Sequence, residues 1–365
     1  MGWIMKKILL SILLILTLCL TGCMGKKGES YVMDELSKKI EKAKSYYVEG
    51  TMELMNNEDI YEYDVKVSYK EGDFYKVDLT NKSNNHEQVI LRNKEGVYVV
   101  TPSLNKSFKF QSDWPYNNSQ SYLLTSLLDD LNNDETKTFE ETEDGYIFTT
   151  IVNYPNNQKL VKQKIYIDKD INVDKVEVLD TNNNIQIKME FNKIDLKSEF
   201  KEDYFNLNNL ITEKTETDDN VNEKDNTTNE KDNNTNDQKE ENTTTEETKE
   251  TATIEDIIYP MYLPANTYLT NQEKIDKEDG QRLILTFDGD SSFMLIEETV
   301  SISKEHEIIP TYGDLELLSD TIAVVNDNSV NWVSNGIEYY VVSDVISKNE
   351  LLEVARSISV IPVSK

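Results

Sequence analysis

The side chains able to do covalent or acid–base chemistry are few, and their spacing argues against most of it. The chain has 365 residues, with two cysteines, Cys19 and Cys23, and two histidines, His86 and His306. Each histidine lies in a polar stretch with no second ligand at metal-binding spacing. Neither reads as a catalytic base, and zinc-type sites need clustered His and Cys. With 68 acids present, pairs such as Asp129-Asp130, Glu140-Glu141 and Glu297-Glu298 are expected by chance and read as solvated faces. Asp288-Gly289-Asp290 is too short for a calcium loop and reads as a hairpin turn. The sequence has no Gly-rich phosphate loop and no Ser nucleophile elbow. The expectation is a chain that is not an enzyme and carries no cofactor or metal.

The one thiol with a chemical setting is Cys23. Lys6 and Lys7 precede a nearly unbroken apolar run from Ile8 to Leu20, closed by Leu20-Thr21-Gly22-Cys23. A helix needs about twenty apolar residues to cross a hydrocarbon core of roughly 30 Å. This shorter run, with a basic start and a small-residue end, reads as a signal peptide over 1–22. Leu20 to Cys23 resembles a bacterial lipobox. That resemblance implies a diacylglyceryl group on the Cys23 thiol and cleavage that leaves Cys23 first. The alternative is an ordinary cleaved signal with an incidental cysteine.

Composition sets the partners. Both cysteines fall in the leader, so the mature chain has no disulfide and no thiol chemistry of its own. Net charge is −30, from 68 acids against 38 bases. Such a body lacks the basic footprint of nucleic-acid binding and is repelled by anionic headgroups. Membrane residence is then expected from the anchor alone, and stable attachment takes two lipid signals, as a diacylglyceryl cysteine supplies. The expected location is the extracytoplasmic face of the cell membrane.

Behind Cys23, residues 23–29 form a short tether, and two structured regions follow, 30–211 and 254–365. Between them, 212–253 is almost wholly Thr, Asn, Glu, Asp and Lys, with Val221 and Ala252 as its only aliphatics. This run cannot bury enough apolar surface to offset chain entropy and reads as a disordered linker, either a spacer or a drifting connection. In the first region, Val32, Leu36, Ile40 and Ala43 recur at helical spacing. Tyr61, Tyr63, Val65, Val67 and Tyr69 alternate with polar residues and share one sheet face. Further strand patterns run at 74–79, 88–92, 97–101, 145–152, 160–168, 173–179 and 185–194, with a second helix at 119–131. The second region shows strands at 281–287, 292–298, 315–318, 322–325 and 337–343. Its last helix, 348–357, starts from Ser347 with Glu350 in a capping-box pattern.

The run from Gly96 to Leu128 (GVYVVTPSLNKSFKFQSDWPYNNSQSYLLTSLL) resembles the YdcC-type lipoproteins of endospore formers, and more loosely the GerS-type germination lipoproteins. These belong to the LolA/LolB/RseB superfamily. The resemblance covers about Ser30 to Leu210. It implies an α+β fold, a LolA-like curved antiparallel half-barrel with helices on its concave side. The second region resembles a small α+β domain of unknown function found in Firmicute lipoproteins, through Tyr262-Leu263-Pro264-Ala265-Asn266 and the Trp332 to Tyr340 strand pair. Asn266 stands where Gly is usual, and Asn tolerates the same positive φ.

In physical terms Val97 to Thr101 is a strand that Pro102 ends, followed by Phe108, Phe110 and Trp114 on an irregular segment and by Tyr122, Leu123 and Leu127 on the helix above. These six side chains either line an apolar groove for an acyl chain or a partner segment, or plug the half-barrel. The resemblance implies a binding lipoprotein that recruits or regulates an envelope protein in sporulation or germination, a cortex-modifying enzyme being one such partner. The alternatives are a lipid or lipoprotein carrier of the LolA/LolB kind and an envelope sensor like RseB.

Overall fold

The computed structural model describes residues 28–56, 59–211, 253–301 and 305–358. Helix α1 (Glu29–Lys42) buries Val32, Leu36 and Ile40, the stripe expected from their spacing, and ends on Lys39 and Lys42, which suit the negative end of its dipole. Strands β1 (Ser45–Asn56), β2 (Asp59–Lys70), β3 (Phe74–Asn81), β4 (Glu87–Asn93), β5 (Gly96–Thr101) and β6 (Lys106–Phe110) follow as a meander. Helix α2 (Leu124–Asn133) interrupts them before β7 (Thr138–Glu141), β8 (Gly145–Ile151), β9 (Leu160–Asp168), β10 (Val173–Asp180) and β11 (Ile185–Asp195). The second region holds β12 (Thr267–Lys277), β13 (Gly280–Gly289), β14 (Phe293–Thr299), β15 (Glu307–Thr311), β16 (Asp314–Leu317), β17 (Ile322–Val325), β18 (Ser329–Ser334), β19 (Ile337–Val342) and helix α3 (Lys348–Arg356).

The fold is strand-dominated α+β, with two open sheets. The larger has twelve strands in the order β15-β6-β5-β4-β3-β2-β1-β11-β10-β9-β8-β7, the smaller seven in the order β12-β13-β14-β19-β18-β17-β16. Every pairing is antiparallel except β15 with β6. The large sheet is the curved half-barrel. Tyr63, Val65 and Val67 of β2 are buried on its concave face, with Tyr61 and Tyr69 half-buried beside them, as strict alternation requires. Tyr46, Tyr69 and Tyr75 run as neighbouring rings across β1, β2 and β3, with centroids 4.8 and 5.0 Å apart. Helices α1 and α2 touch each other and pack into the same apolar core.

The convex face is covered as well. Phe205, Leu207 and Leu210, with Phe200 and Tyr204, lie on Val89, Leu91, Tyr98 and Val100, the side chains of β4 and β5 that point away from the helices. In the small sheet, Leu351, Leu352, Val354 and Ala355 of α3 meet Leu283, Leu285, Leu295 and Val341. The Ser347 hydroxyl accepts the Glu350 N–H at 3.3 Å, so the predicted cap is present. Asn266 adopts φ 53°, the left-handed conformation expected of it, and a Cβ on Gly289 would lie 1.9 Å from its carbonyl oxygen.

Several elements differ from the sequence expectation. Phe108 and Phe110 lie on a regular strand, β6, because β5 on one side and β15 on the other supply its ladder. Helix α2 begins at Leu124, five residues later than the apolar pattern suggested, since 119–123 forms a turn in which the Gln120 N–H donates to Ser126 Oγ at 2.9 Å. Strands β1, β12 and β15 had no clear pattern. In β1 the alternation of Tyr46, Val48, Met52 and Leu54 breaks at Gly50, where β11 comes so close that a Cβ would sit 2.3 Å from the Glu190 carbonyl oxygen.

Candidate functional site

The six candidate groove residues converge in one apolar core. Phe110, Trp114, Tyr122, Leu123 and Leu127 are buried, and Phe108 is half-buried against them. The Trp114 ring meets the edge of Tyr75 at 5.9 Å, and the Arg92 guanidinium holds the Trp114 carbonyl at 2.5 Å. Arg92 also lies over the Tyr116 ring, 5.1 Å from its centroid. The segment after β6 is therefore pinned down from the sheet and fills the concave face together with α2. Cys23 and the linker, 212–253 save for its last residue, lie outside the described residues.

Space remains on the same face, closer to β1 and β11. A cavity of about 290 Å³ is lined by Met52, Leu54, Leu79, Ile90, Ile187 and Leu160 from the half-barrel and by Leu315, Leu317 and Ile322 from the second region. Of the six candidates, Tyr122 alone lines it. Its rim carries Lys159, Glu353 and Arg356, with Lys159 Nζ 2.6 Å from Glu353 Oε2.

The second region closes this mouth through contacts that no local pattern announces. Leu315, Ile322 and Val324 belong to the half-barrel's own core cluster. Gln88 of β4 accepts the Ile322 N–H at 2.7 Å and the Thr321 hydroxyl at 3.1 Å. Asn56 Nδ2 donates to Ser319 Oγ at 2.6 Å and to the Arg356 carbonyl at 2.8 Å, and the Tyr63 hydroxyl to the Ser319 carbonyl at 3.0 Å. Arg356 Nη2 lies 2.8 Å from Glu316 Oε1 at the cavity wall. Burial raises the Glu316 carboxyl, and the Arg356 charge pulls against it. Burial likewise raises Asp320, whose carboxylate accepts the Ser334 hydroxyl.

Two carboxylates stand apart from this interface. Asp130 of α2 is pushed up to about 6 by burial, against hydrogen bonds from Ser119 Oγ at 3.0 Å and Gln163 Nε2 at 2.7 Å. Burial also presses on Asp134, but donors on Thr136, Ile151 and Thr150 outweigh it and hold the carboxyl well below its usual range. A depression of about 360 Å³ opens beside them, lined by Tyr116, Ser119 and Asn153. Among the described residues no group of three or more His, Cys, Asp or Glu side chains is placed to hold a metal ion.

One constellation has the outline of a nucleophile, a base and its orienter. Ser107 Oγ lies 2.7 Å from His306 Nε2, and His306 Nδ1 lies 3.2 Å from Asn105 Oδ1. Ser107 is fully buried within the sheet, out of reach of any substrate carbonyl. Burial lowers the His306 pKa as well. The trio works as a peg that fixes β15 to β6, and sequence reading missed it because its members are 199 and 201 residues apart. His86 sits elsewhere, also lowered by burial.

A family described as sporulation protein YdcC-like matches residues 5–205. The protein named sporulation protein YdcC of Bacillus subtilis (strain 168) is 34% identical over 359 residues, covering 97% of this chain and 98% of that one. Among solved structures, the Pseudomonas aeruginosa MucA/MucB complex contains a chain that matches with a TM-score of 0.30 at 11% identity, over 89% of this chain and 96% of that one. A complex of the CwlD amidase with the GerS lipoprotein from Clostridioides difficile matches with a TM-score of 0.22 at 15% identity, over 48% and 98%. A likeness of that size says nothing of partner or activity. A match over 97% of this chain and 98% of that relative does decide membership: the chain belongs to the sporulation protein YdcC-like family.

Proposed function

We propose that the chain is a non-catalytic lipoprotein of a spore-forming bacterium, held at the outer face of the membrane through a lipid on Cys23, that binds an envelope protein and recruits or regulates it in sporulation or germination. The relative named as a sporulation protein, 34% identical across the chain, supports the setting. The observation that carries the binding role is the filled concave face. Trp114, Phe110, Leu123 and Leu127 occupy the space a carrier would need for acyl chains. The remaining cavity of about 290 Å³ lies just below the range of roughly 300–1,000 Å³ typical of ligand pockets. A lipoprotein cargo brings several acyl chains and does not fit such a space.

The partner class taken first is a cortex-modifying enzyme, on the sequence likeness to germination lipoproteins. The test is affinity isolation of the full chain from membranes of sporulating cells. A stoichiometric envelope protein is the expected result, and a chain recovered alone would sink the proposal. Cys23→Ala is expected to move the protein from the membrane to the soluble fraction, and continued membrane residence would refute the anchor.

A second reading rests on the cavity itself, whose lining includes Met52, Leu54, Leu79, Ile90 and Leu315: a single acyl chain or similar small amphiphile binds there. Native mass spectrometry of protein purified from membranes separates the two, since a co-purifying lipid supports the second and its absence the first.

A further inference from the structure

β15 is the outermost strand of the large sheet, yet it comes from the second region. The chain leaves the small sheet after β14, crosses to β6, and returns at β16. The register pairs Glu307 with Lys106, Ile309 with Phe108 and Thr311 with Phe110. The Glu307 N–H donates to the Asn105 carbonyl at 3.1 Å, and the Gln111 N–H to the Thr311 carbonyl at 3.3 Å. In a parallel ladder these two bonds turn the backbone of Glu307, Ile309 and Thr311 toward β6 and that of Ile308 and Pro310 outward. Pro310 thus costs no ladder bond and discourages a further strand outside β15.

Apart from the His306 peg at its entry, little besides backbone holds this strand. None of its residues is buried, and Ile308 is 48% exposed. Strand β5, on the far side of β6, is buried over five of its six residues. An element with so few buried contacts opens at far lower cost than the core. The edge beneath it has its own chemistry. Lys106 and Lys109 make β6 locally basic in a chain of net charge −30, and Glu307 stands in register with Lys106. Phe108, half-buried against the core, stands in register with Ile309.

We propose that the outer edge of β6 is a docking site for an extended segment of a partner protein, and that β15 is the resident strand such a segment displaces. The segment that fits runs parallel to β6, carries a carboxylate opposite Lys106, and has an apolar side chain two residues later beside Phe108. Main-chain hydrogen bonds supply affinity and the alternate side chains supply selectivity, the logic of strand addition. This builds on the proposal that the chain holds an envelope protein and names where it does so.

The test uses the full chain and, as probe, an acetylated peptide copying residues 305–313. Ile309→Pro removes an N–H that faces β6, whereas Ile308→Pro removes one that faces outward. The peptide is expected to bind Ile309→Pro in the millimolar range, about tenfold tighter than the unsubstituted chain or Ile308→Pro. Backbone amides of residues 106–110 in Ile309→Pro should regain protection from hydrogen exchange when it binds. A peptide with Lys in place of its residue-307 Glu should bind more weakly. Equal binding to all three chains, no binding to Ile309→Pro, or indifference to the charge reversal would each overturn the proposal. Should Ile309→Pro fail to fold, exchange in the unsubstituted chain decides. The Ile309 and Thr311 amides are expected to exchange about a hundredfold faster than those of Val97 and Val99, and equal rates overturn it. Failure here leaves the affinity isolation untouched, and a chain isolated without a partner leaves the edge result standing.

Discussion

The backbone N–H of Ile322 donates to Oε1 of Gln88 at 2.7 Å, so a side chain of the half-barrel terminates a strand of the other sheet. Gln88 is buried and also takes the Thr321 hydroxyl. Its own Nε2 reaches Thr101 Oγ1 at 3.4 Å. Replacing it strands a buried N–H on the far side of the interface. Gln88→Ala is expected to lower stability by about 1–3 kcal/mol, the cost of an unmet buried donor. A thermal scan should then show the second region's unfolding separating from that of the half-barrel. A single unshifted transition would contradict this.

Glu297 of β14 is buried under the segment 254–258, with Oε1 accepting the Ile258 N–H at 3.1 Å, and burial pushes its pKa up to about 7. Below about 4.5 folded and unfolded states both hold the proton. Between 4.5 and 7 the unfolded chain gives it up and the folded chain keeps it, so stability falls across that window and levels off above it. The loss amounts to at most about 3 kcal/mol. Urea midpoints at pH 5 and pH 8 should differ in the unsubstituted chain, and Glu297→Gln should flatten that difference. An identical pH dependence in both would rule the assignment out.

Arg356 and Glu316 form a largely buried pair at the cavity wall, 2.8 Å apart. Removing one charge leaves the other without its partner, a change that costs about 3–5 kcal/mol in buried pairs. Arg356→Met is therefore expected to destabilise the chain strongly, and adding Glu316→Gln to recover much of the loss. Chemical denaturation of the two single variants and the double variant measures the coupling, and strictly additive losses would show that the pair is not coupled.

Trp114 is the largest fully buried side chain of the concave core. Trp114→Ala should cost about 3–5 kcal/mol and leave a void beneath α2. If the ring is what keeps acyl chains out, the variant should also bind a fluorescent fatty acid that the unsubstituted chain does not. Equal binding by both would show that the cavity, not the plug, decides lipid access.

Much of the half-barrel is legible in the sequence because its strands bury one face and leave the other wetter, which writes period-two alternation into Tyr61 to Tyr69. Asn266 and Ser347 are legible for a different reason: a left-handed turn and a helix start each demand particular residue types. β15 leaves no such mark, since a five-residue strand buried on neither face has no pattern to show and contains Pro310. The six aromatic and leucine side chains around α2 were recognisable as a group, but whether they line a space or fill it depends on three-dimensional volume. The cavity was invisible because each region supplies only part of its wall. Contacts such as Asn56 with Arg356 join residues 300 positions apart.

The peg between His306 and Ser107 also has a bearing on the order of events during synthesis. A strand that closes a sheet across 199 residues of chain cannot arrive until late. Contacts of such long sequence separation form slowly, and the N-terminal part of a chain folds first as it emerges. The half-barrel must therefore exist for a time with β6 as a bare edge. In that interval it is most exposed to mispairing with a neighbour, and a chaperone or a waiting partner strand would find it open.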